Sequence, residues 1–319
     1  MILKPEEKIF YRTEFSRLLG SKDLKVMAES HKLISDVGFS VFFKHGQTGN
    51  KLSAYDHDGN ILFQMSILKS LSLQELAKSI NYVNDIDGSS LKNTYDPFGM
   101  YNIVRAQYEA FCNFNNIYIQ SKTESELKLK YYLWVLSGLN YRQRFRADSE
   151  WAIKKKANEA IEIQELNELI SNNECYKELE EQSQKNIQDC INKKDWQIKI
   201  EGKKAYKIAW HEMMTNAGAN KMLENQYSQL FLATHPSNVS VFQFSSMYIE
   251  NMQEFNTKKA LQLSKVFIAM MIRDYVIYFK LEETNFNNLP FIPQALINSY
   301  NEMFRNEKFK INNLNSSLN

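Results

Sequence analysis

Hydrophobic and polar positions recur every three to four residues along most of the chain, the spacing of an amphipathic α-helix. Residues 6–19 and 22–36 show it first, and each predicts a helix. "KHGQTGNKLSAYDHDGN" (44–60) interrupts the pattern with Gly46, Gly49 and Gly59 and predicts a loop. A helix over 60–82 follows, ended at "NDIDGSS". Asp96-Pro97 then supplies an N-cap and a proline at the first helical position, opening a helix through "FGMYNIVRAQYEAFCNFNNIYIQ". Val104, Tyr108, Phe111 and Cys112 mark its main apolar face, and Ala110, Phe114 and Ile117 lie opposite, so burial on more than one side is expected. "KTESELKLKYYLWVLSGLNYRQRF" predicts the next helix, ending near 145.

Residues 147–194 change character. "EWAIKKKANEAIEIQELNELI" and "ECYKELEEQSQKNIQDCINK" predict two charged helices joined at "SNN", with Ile163, Leu166 and Ile170 on one arm and Tyr176, Leu179, Ile187 and Ile191 on the other. Gly218 makes a helix stop. Beyond it come a helix carrying Tyr227, a break at Pro236, and helices over 238–254, 257–282 and 293–306. The polar tail 307–319 is expected to be disordered. The sum is an all-α fold: a multi-helix bundle with a protruding charged helical hairpin. Residues 1–146 and 195–306 form the body, and 147–194 form the hairpin.

Composition sharpens this picture in three ways. Ten Gly and five Pro in 319 residues leave few turns, which favours long helices over an all-β fold. A net charge of +2, from 39 basic against 37 acidic side chains, lacks the overall basic excess common in nucleic-acid binders, though it leaves room for a local patch. Cys112, Cys175 and Cys190 have neither metal-site spacing nor an even count, which points to a reducing compartment and a cytoplasmic location. The N-terminal "MILKPEEKIFYRTEF" lacks the apolar core of a signal peptide. The apolar run 266–279 is interrupted by Arg273 and Asp274 and is too short to span a bilayer. A soluble protein without membrane association is expected.

Candidate chemistry concentrates on a few polar residues within apolar surroundings. At 100° per residue Arg105 falls among Tyr101, Tyr108 and Cys112, with Glu109 one turn on and available as an i,i+4 partner. Asn102, Asn113 and Asn116 form a polar stripe beside that face, a candidate wall for a ligand pocket. Asp274 sits within the apolar stripe of its own helix and needs a partner. Arg105 is one candidate; Arg273 or a backbone amide are others. His235 precedes Pro236, which disfavours helical angles at the histidine. It is expected to point inward, where it would serve as a general acid or base or hydrogen-bond a helix-end carbonyl. "DHDG" and "DIDG" lack the later ligands of a calcium loop, His211-Glu212 lacks a second histidine, and no phosphate-cradling glycine loop or nucleophile elbow exists. No metal or cofactor is called for.

"AWHEMMTNAGANKMLENQYSQLFLATHPS", with Trp210, Gly218, Tyr227, Leu230, His235, Pro236 and Ser237, resembles the closing block of a bacterial helical family catalogued as domain of unknown function 5677. That family's earlier Arg…Glu helix is similar to Arg105 and Glu109 in "VRAQYEAF". The resemblance covers roughly residues 20 to 282, excepting a variable charged middle. It implies an all-helical fold, a shared neighbourhood for Arg105, Glu109, Tyr227 and His235, and no settled activity. Helical defence and toxin RNases of the HEPN type place an Arg shortly before a His on one helix; Ser228, Gln229 and Leu230 hold no Arg here, so Arg105 would have to replace it. Two functions follow as expectations. One is metal-independent RNA cleavage or RNA binding in a bacterial defence or toxin setting, with His235 as acid/base, Arg105 on phosphate, and Glu109 and Tyr227 orienting them. The other is a non-catalytic scaffold or regulatory subunit that binds a protein partner or itself through 147–194. A small-molecule sensor with its pocket along the Asn102–Asn116 stripe is the third, and Asn102, Asn113 and Asp274 are the candidate ligand-binding residues.

Overall fold

The computed structural model describes residues 5–49, 51–281 and 286–305. Among these it holds thirteen α-helices and two two-stranded antiparallel sheets. The chain divides into two compact units, one built from residues up to Asn115 and from Met214 onward, the other from Asn116–Met213.

In the first unit the central element is α12 (Gln253–Tyr278), against which α2 (Leu24–Gly46), α3 (Ala54–Leu76), α4 (Pro97–Phe114) and α13 (Phe291–Phe304) pack. Every residue from Leu263 to Ile272 is buried, so α12 is covered on all sides there, as its near-continuous apolar sequence requires. Gly38 allows close approach of α2: a Cβ at this position would lie 3.3 Å from Ile272 Cδ1. Side-chain caps start the long helices, Asp23 for α2, Ser53 for α3 and Asp96 for α4, each accepting a hydrogen bond from a first-turn amide. The remaining elements of this unit include α1 (Pro5–Gly20), the hairpin β1 (Ile80–Val83) and β2 (Ser90–Thr94), α10 (Gln226–Thr234) and α11 (Asn238–Ile249).

Two stretches depart from the sequence pattern. The loop expected over 44–60 is mostly helix: α2 continues to Gly46 and α3 begins at Ala54. Three of its polar residues serve α12. His45 Nδ1 hydrogen-bonds the Tyr275 hydroxyl, which donates to Asn60 Oδ1 at 2.6 Å, and the Tyr278 hydroxyl donates to Asp56 Oδ1 at 2.6 Å. The end of the helix expected over 60–82 is β1, paired with β2 in the register Tyr82↔Leu91, and "NDIDG" forms the turn with Gly88 at φ 73°.

The second unit contains α5 (Glu124–Arg142), α6 (Glu150–Asn172), α7 (Glu174–Glu178), α8 (Glu181–Lys193) and the hairpin β3 (Ile198–Glu201) with β4 (Lys204–Lys207). The charged segment 147–194 is therefore part of a larger body than a two-helix hairpin, and its second arm is broken between α7 and α8. Leu129, Leu133 and Leu136 of α5 meet Leu166 and Ile170 of α6, Ile187 of α8 and Ile198 of β3 in one apolar cluster. The stripe that sequence offers for self-association is used up in this core. Lys130 and Glu126, both nearly inaccessible, pair at 2.7 Å, and Arg142 holds Glu159 at 2.6 Å. The tail 307–319 lies outside the described residues. Among the described residues no helix is long and apolar enough to cross a membrane.

Candidate functional site

Arg105 and Glu109 stand one turn apart on α4, and the aromatic side chain that meets them comes from α10. Arg105 Nε donates to Glu109 Oε1 at 2.9 Å, and Arg105 Nη2 donates to the Tyr227 hydroxyl at 3.1 Å. The same hydroxyl donates to Glu109 Oε1 at 3.3 Å, closing a triangle. Tyr227 and Phe231, four residues apart on one face of α10, put their ring centroids 5.3 and 5.1 Å from the Arg105 guanidinium carbon. Tyr108 packs against Tyr227 with centroids 5.3 Å apart. The local helix repeat thus lines up cation, carboxylate and rings across the α4–α10 contact.

The chemistry of this triangle is that of a clasp. Glu109 neutralises Arg105, and burial, with Glu109 adding to it, pushes the Tyr227 hydroxyl above its ordinary pKa, away from nucleophilic use. Burial likewise drives the Cys112 thiol well upward, so it is not a thiolate at neutral pH.

His235 stands apart from the triangle. It is exposed rather than inward-pointing and occupies the C-cap of α10 with φ −115° and ψ 130°, the extended backbone that Pro236 favours. Its ring rests on Phe231, centroids 4.4 Å apart. Its carbonyl accepts from Ser237 N at 2.7 Å and from Ser240 Oγ at 2.6 Å, fixing the turn into α11. Arg105 and His235 are thus linked through the Phe231 ring between them.

The three residues expected to bind a ligand do not converge. Asn102 faces solvent, and Asn113 is half-buried with its Oδ1 unbonded. Asp274 is fully buried and takes Arg305 as its partner, not Arg105 or Arg273: Nη1 lies 2.7 Å from Oδ1 and Nη2 lies 3.0 Å from Oδ2. Asn115 Nδ2 donates to Oδ2 at 2.7 Å, and Arg305 Nε donates to the Ala217 carbonyl at 3.0 Å. This cluster joins the end of α4, α12, α13 and the chain after α9 (Trp210–Asn216). Asn116 donates to the Ile198 carbonyl within the second unit.

A cavity of about 510 Å³ opens between α4, α10, α11 and α12. Sequence reasoning missed it, since its walls come from four separated segments. Leu230, Met247 and Leu263 form its buried floor, and Tyr101, Asn256 and Lys259 its half-buried polar wall. No group of three or more His, Cys, Asp or Glu side chains among the described residues is placed to hold a metal ion.

No protein-family model, curated protein or solved structure matches the chain.

Proposed function

We propose that the protein is a non-catalytic helical scaffold that pairs with a second copy of itself through the outer face of α11. The observation that carries this is the exposure of that helix. Of the twelve residues of "NVSVFQFSSMYI" only Ser240 and Met247 are buried, while Phe242 is 63% and Ile249 76% exposed. Val239, Val241 and Phe244 are exposed as well, as are Phe231 of α10 and Phe255 of α12. The four phenylalanines are 43–63% exposed, which at ~200 Å² per aromatic residue leaves roughly 400 Å² open. Val239, Val241 and Ile249 add exposed aliphatic surface on the same helix. So many large apolar side chains left open on one helix and its neighbours mark an interaction site.

Charge selects the occupant. The α11 sequence carries no Asp, Glu, Lys or Arg. A two-fold contact sets each residue against the same surface of its mate, so a helix of one charge sign would repel its mate, whereas a charge-free one meets no such repulsion. Sedimentation velocity tests the proposal. The wild-type chain is expected to be a dimer at micromolar concentration, and Phe242→Glu with Ile249→Glu to be a monomer with an unchanged circular dichroism spectrum. A wild-type monomer, or a dimer that survives both substitutions, would overturn it.

A second function, RNA cleavage or binding of a bacterial defence or toxin type, draws support from Arg105, Phe231 and His235 being successive neighbours. It requires Arg105 to leave Glu109 for a phosphate, with His235 as acid/base. RNA degradation that disappears in a folded His235→Ala variant supports it; degradation unchanged in that variant, or none by the wild type, removes it.

A further inference from the structure

Lys259 lies in the wall of the 510 Å³ cavity, which Phe242 and Ile249 do not line, although Phe255 borders it. Its ammonium donates to Gln229 Oε1, a neutral oxygen, at 2.8 Å, and among the described residues it makes no ion pair. Burial lowers its pKa, so the charged form carries a desolvation penalty that nothing anionic offsets. Apart from Glu250 at the rim, the other polar groups of the wall are neutral hydrogen-bonding ones. Tyr101 donates to Asn256 Oδ1 at 2.9 Å, and Gln226, Gln229 and Gln243 present further amides, with the Gln226 Oε1 buried and unbonded. Leu230, Met247, Leu263 and Phe98 supply an apolar floor and side.

We infer that this cavity binds a small organic monoanion, a carboxylate or sulfonate carried on an aromatic or short aliphatic body. Three features set that class. The volume falls within the ~300–1,000 Å³ of small-molecule sites, too small for a macromolecular segment of any length. The lone ammonium asks for one negative charge on the ligand, and the amides around it supply donors to the same head group. Glu250 sits exposed on the rim, where it would repel a second or third negative charge. Polyphosphates are thereby disfavoured, and a mostly apolar monoanion fits floor and head together.

Two fluorescent probes of nearly the same shape separate the charge from the cavity. 8-Anilinonaphthalene-1-sulfonate carries the single charge, and N-phenyl-1-naphthylamine lacks it. Both are titrated into the full-length chain. Lys259→Gln keeps a hydrogen-bonding side chain and is expected to weaken the sulfonate at least about tenfold, ~1.4 kcal/mol, while the neutral probe binds as before. Ala233→Trp fills the cavity from α10 and is expected to abolish both. Circular dichroism of each variant should match the wild type, and Phe242→Glu with Ile249→Glu should leave both affinities unchanged, which separates the cavity from the dimer face. Equal sulfonate affinity in Lys259→Gln, or binding of both probes unaltered by Ala233→Trp, would overturn the assignment, as would a wild-type chain that binds neither.

Discussion

Lys265 offers the sharpest physical test of the fold. It lies on α12 with 1% of its surface exposed, its ammonium 5.6 Å from the Tyr300 ring centroid and without an ion pair among the described residues. Burial depresses its pKa from 10.5 to about 8. The folded state therefore releases this proton more readily than the unfolded chain, which binds more protons between pH 8 and 10.5. Stability from this group rises with pH across that window, and below pH 8 the penalty is present in full. At ~1.36 kcal/mol per pKa unit the penalty at neutral pH is about 3 kcal/mol, offset by about 1 kcal/mol from the cation–π contact. Lys265→Met keeps the length of the side chain and removes the charge, so it should stabilise the first unit by about 2 kcal/mol at pH 7. The advantage should shrink as pH approaches 10.5. All four tryptophans, Trp134, Trp151, Trp196 and Trp210, lie in the second unit. In urea titrations at several pH values, the far-ultraviolet dichroism midpoint should move, while tryptophan emission serves as the control for the second unit. A gain that stays constant from pH 7 to 10.5, or a destabilised variant at pH 7, would show that the amine has a folded-state partner and refute the reasoning.

Two further substitutions probe named contacts. Asp274→Asn leaves the Arg305 guanidinium, 1% exposed, without its buried carboxylate and should destabilise by about 3–5 kcal/mol; Asp274→Leu with Arg305→Met should lose much less, and equal losses in urea titration would contradict that account. Gly99→Ala sets a Cβ 2.3 Å from Asp96 Oδ2, the carboxylate that caps α4. The cap must open, at a loss of about 1 kcal/mol, and an unchanged thermal midpoint would show that the cap tolerates the methyl group.

Legibility in the sequence followed the range of each interaction. Helices α2, α4, α5 and α12 were readable because capping residues and apolar spacing act within a few positions. Arg105 and Glu109 were readable as a pair for the same reason. Asp274 was visible as a carboxylate needing a cation, yet its choice of Arg305 over Arg105 or Arg273 depends on where α13 lands, and no local pattern records that. The strands of β3–β4 are four residues each, with three lysines among them and only Gly202, at φ 60°, to signal the turn. The stretch 44–60 misled because glycine and aspartate favour turns in isolation; tertiary hydrogen bonds to Tyr275 and Tyr278 outweigh that preference. The inward aim expected of His235 fails because the turn at Pro236 leaves its ring over Phe231 at the surface.

The division of the first unit around an inserted second unit has a consequence for biosynthesis. Helices α2, α3 and α4 leave the ribosome with their apolar faces made but without α12, which begins roughly 140 residues after α4 ends. At ~5–20 residues per second that gap lasts roughly 7–28 s, far longer than collapse of a small domain takes. Asn116–Met213 is contiguous and complete in this interval, so it can fold first while the earlier helices wait with sticky surfaces uncovered. The nascent chain is thus at greatest risk of misassociation before Gln253 emerges, and α12, followed by α13, ends that exposure.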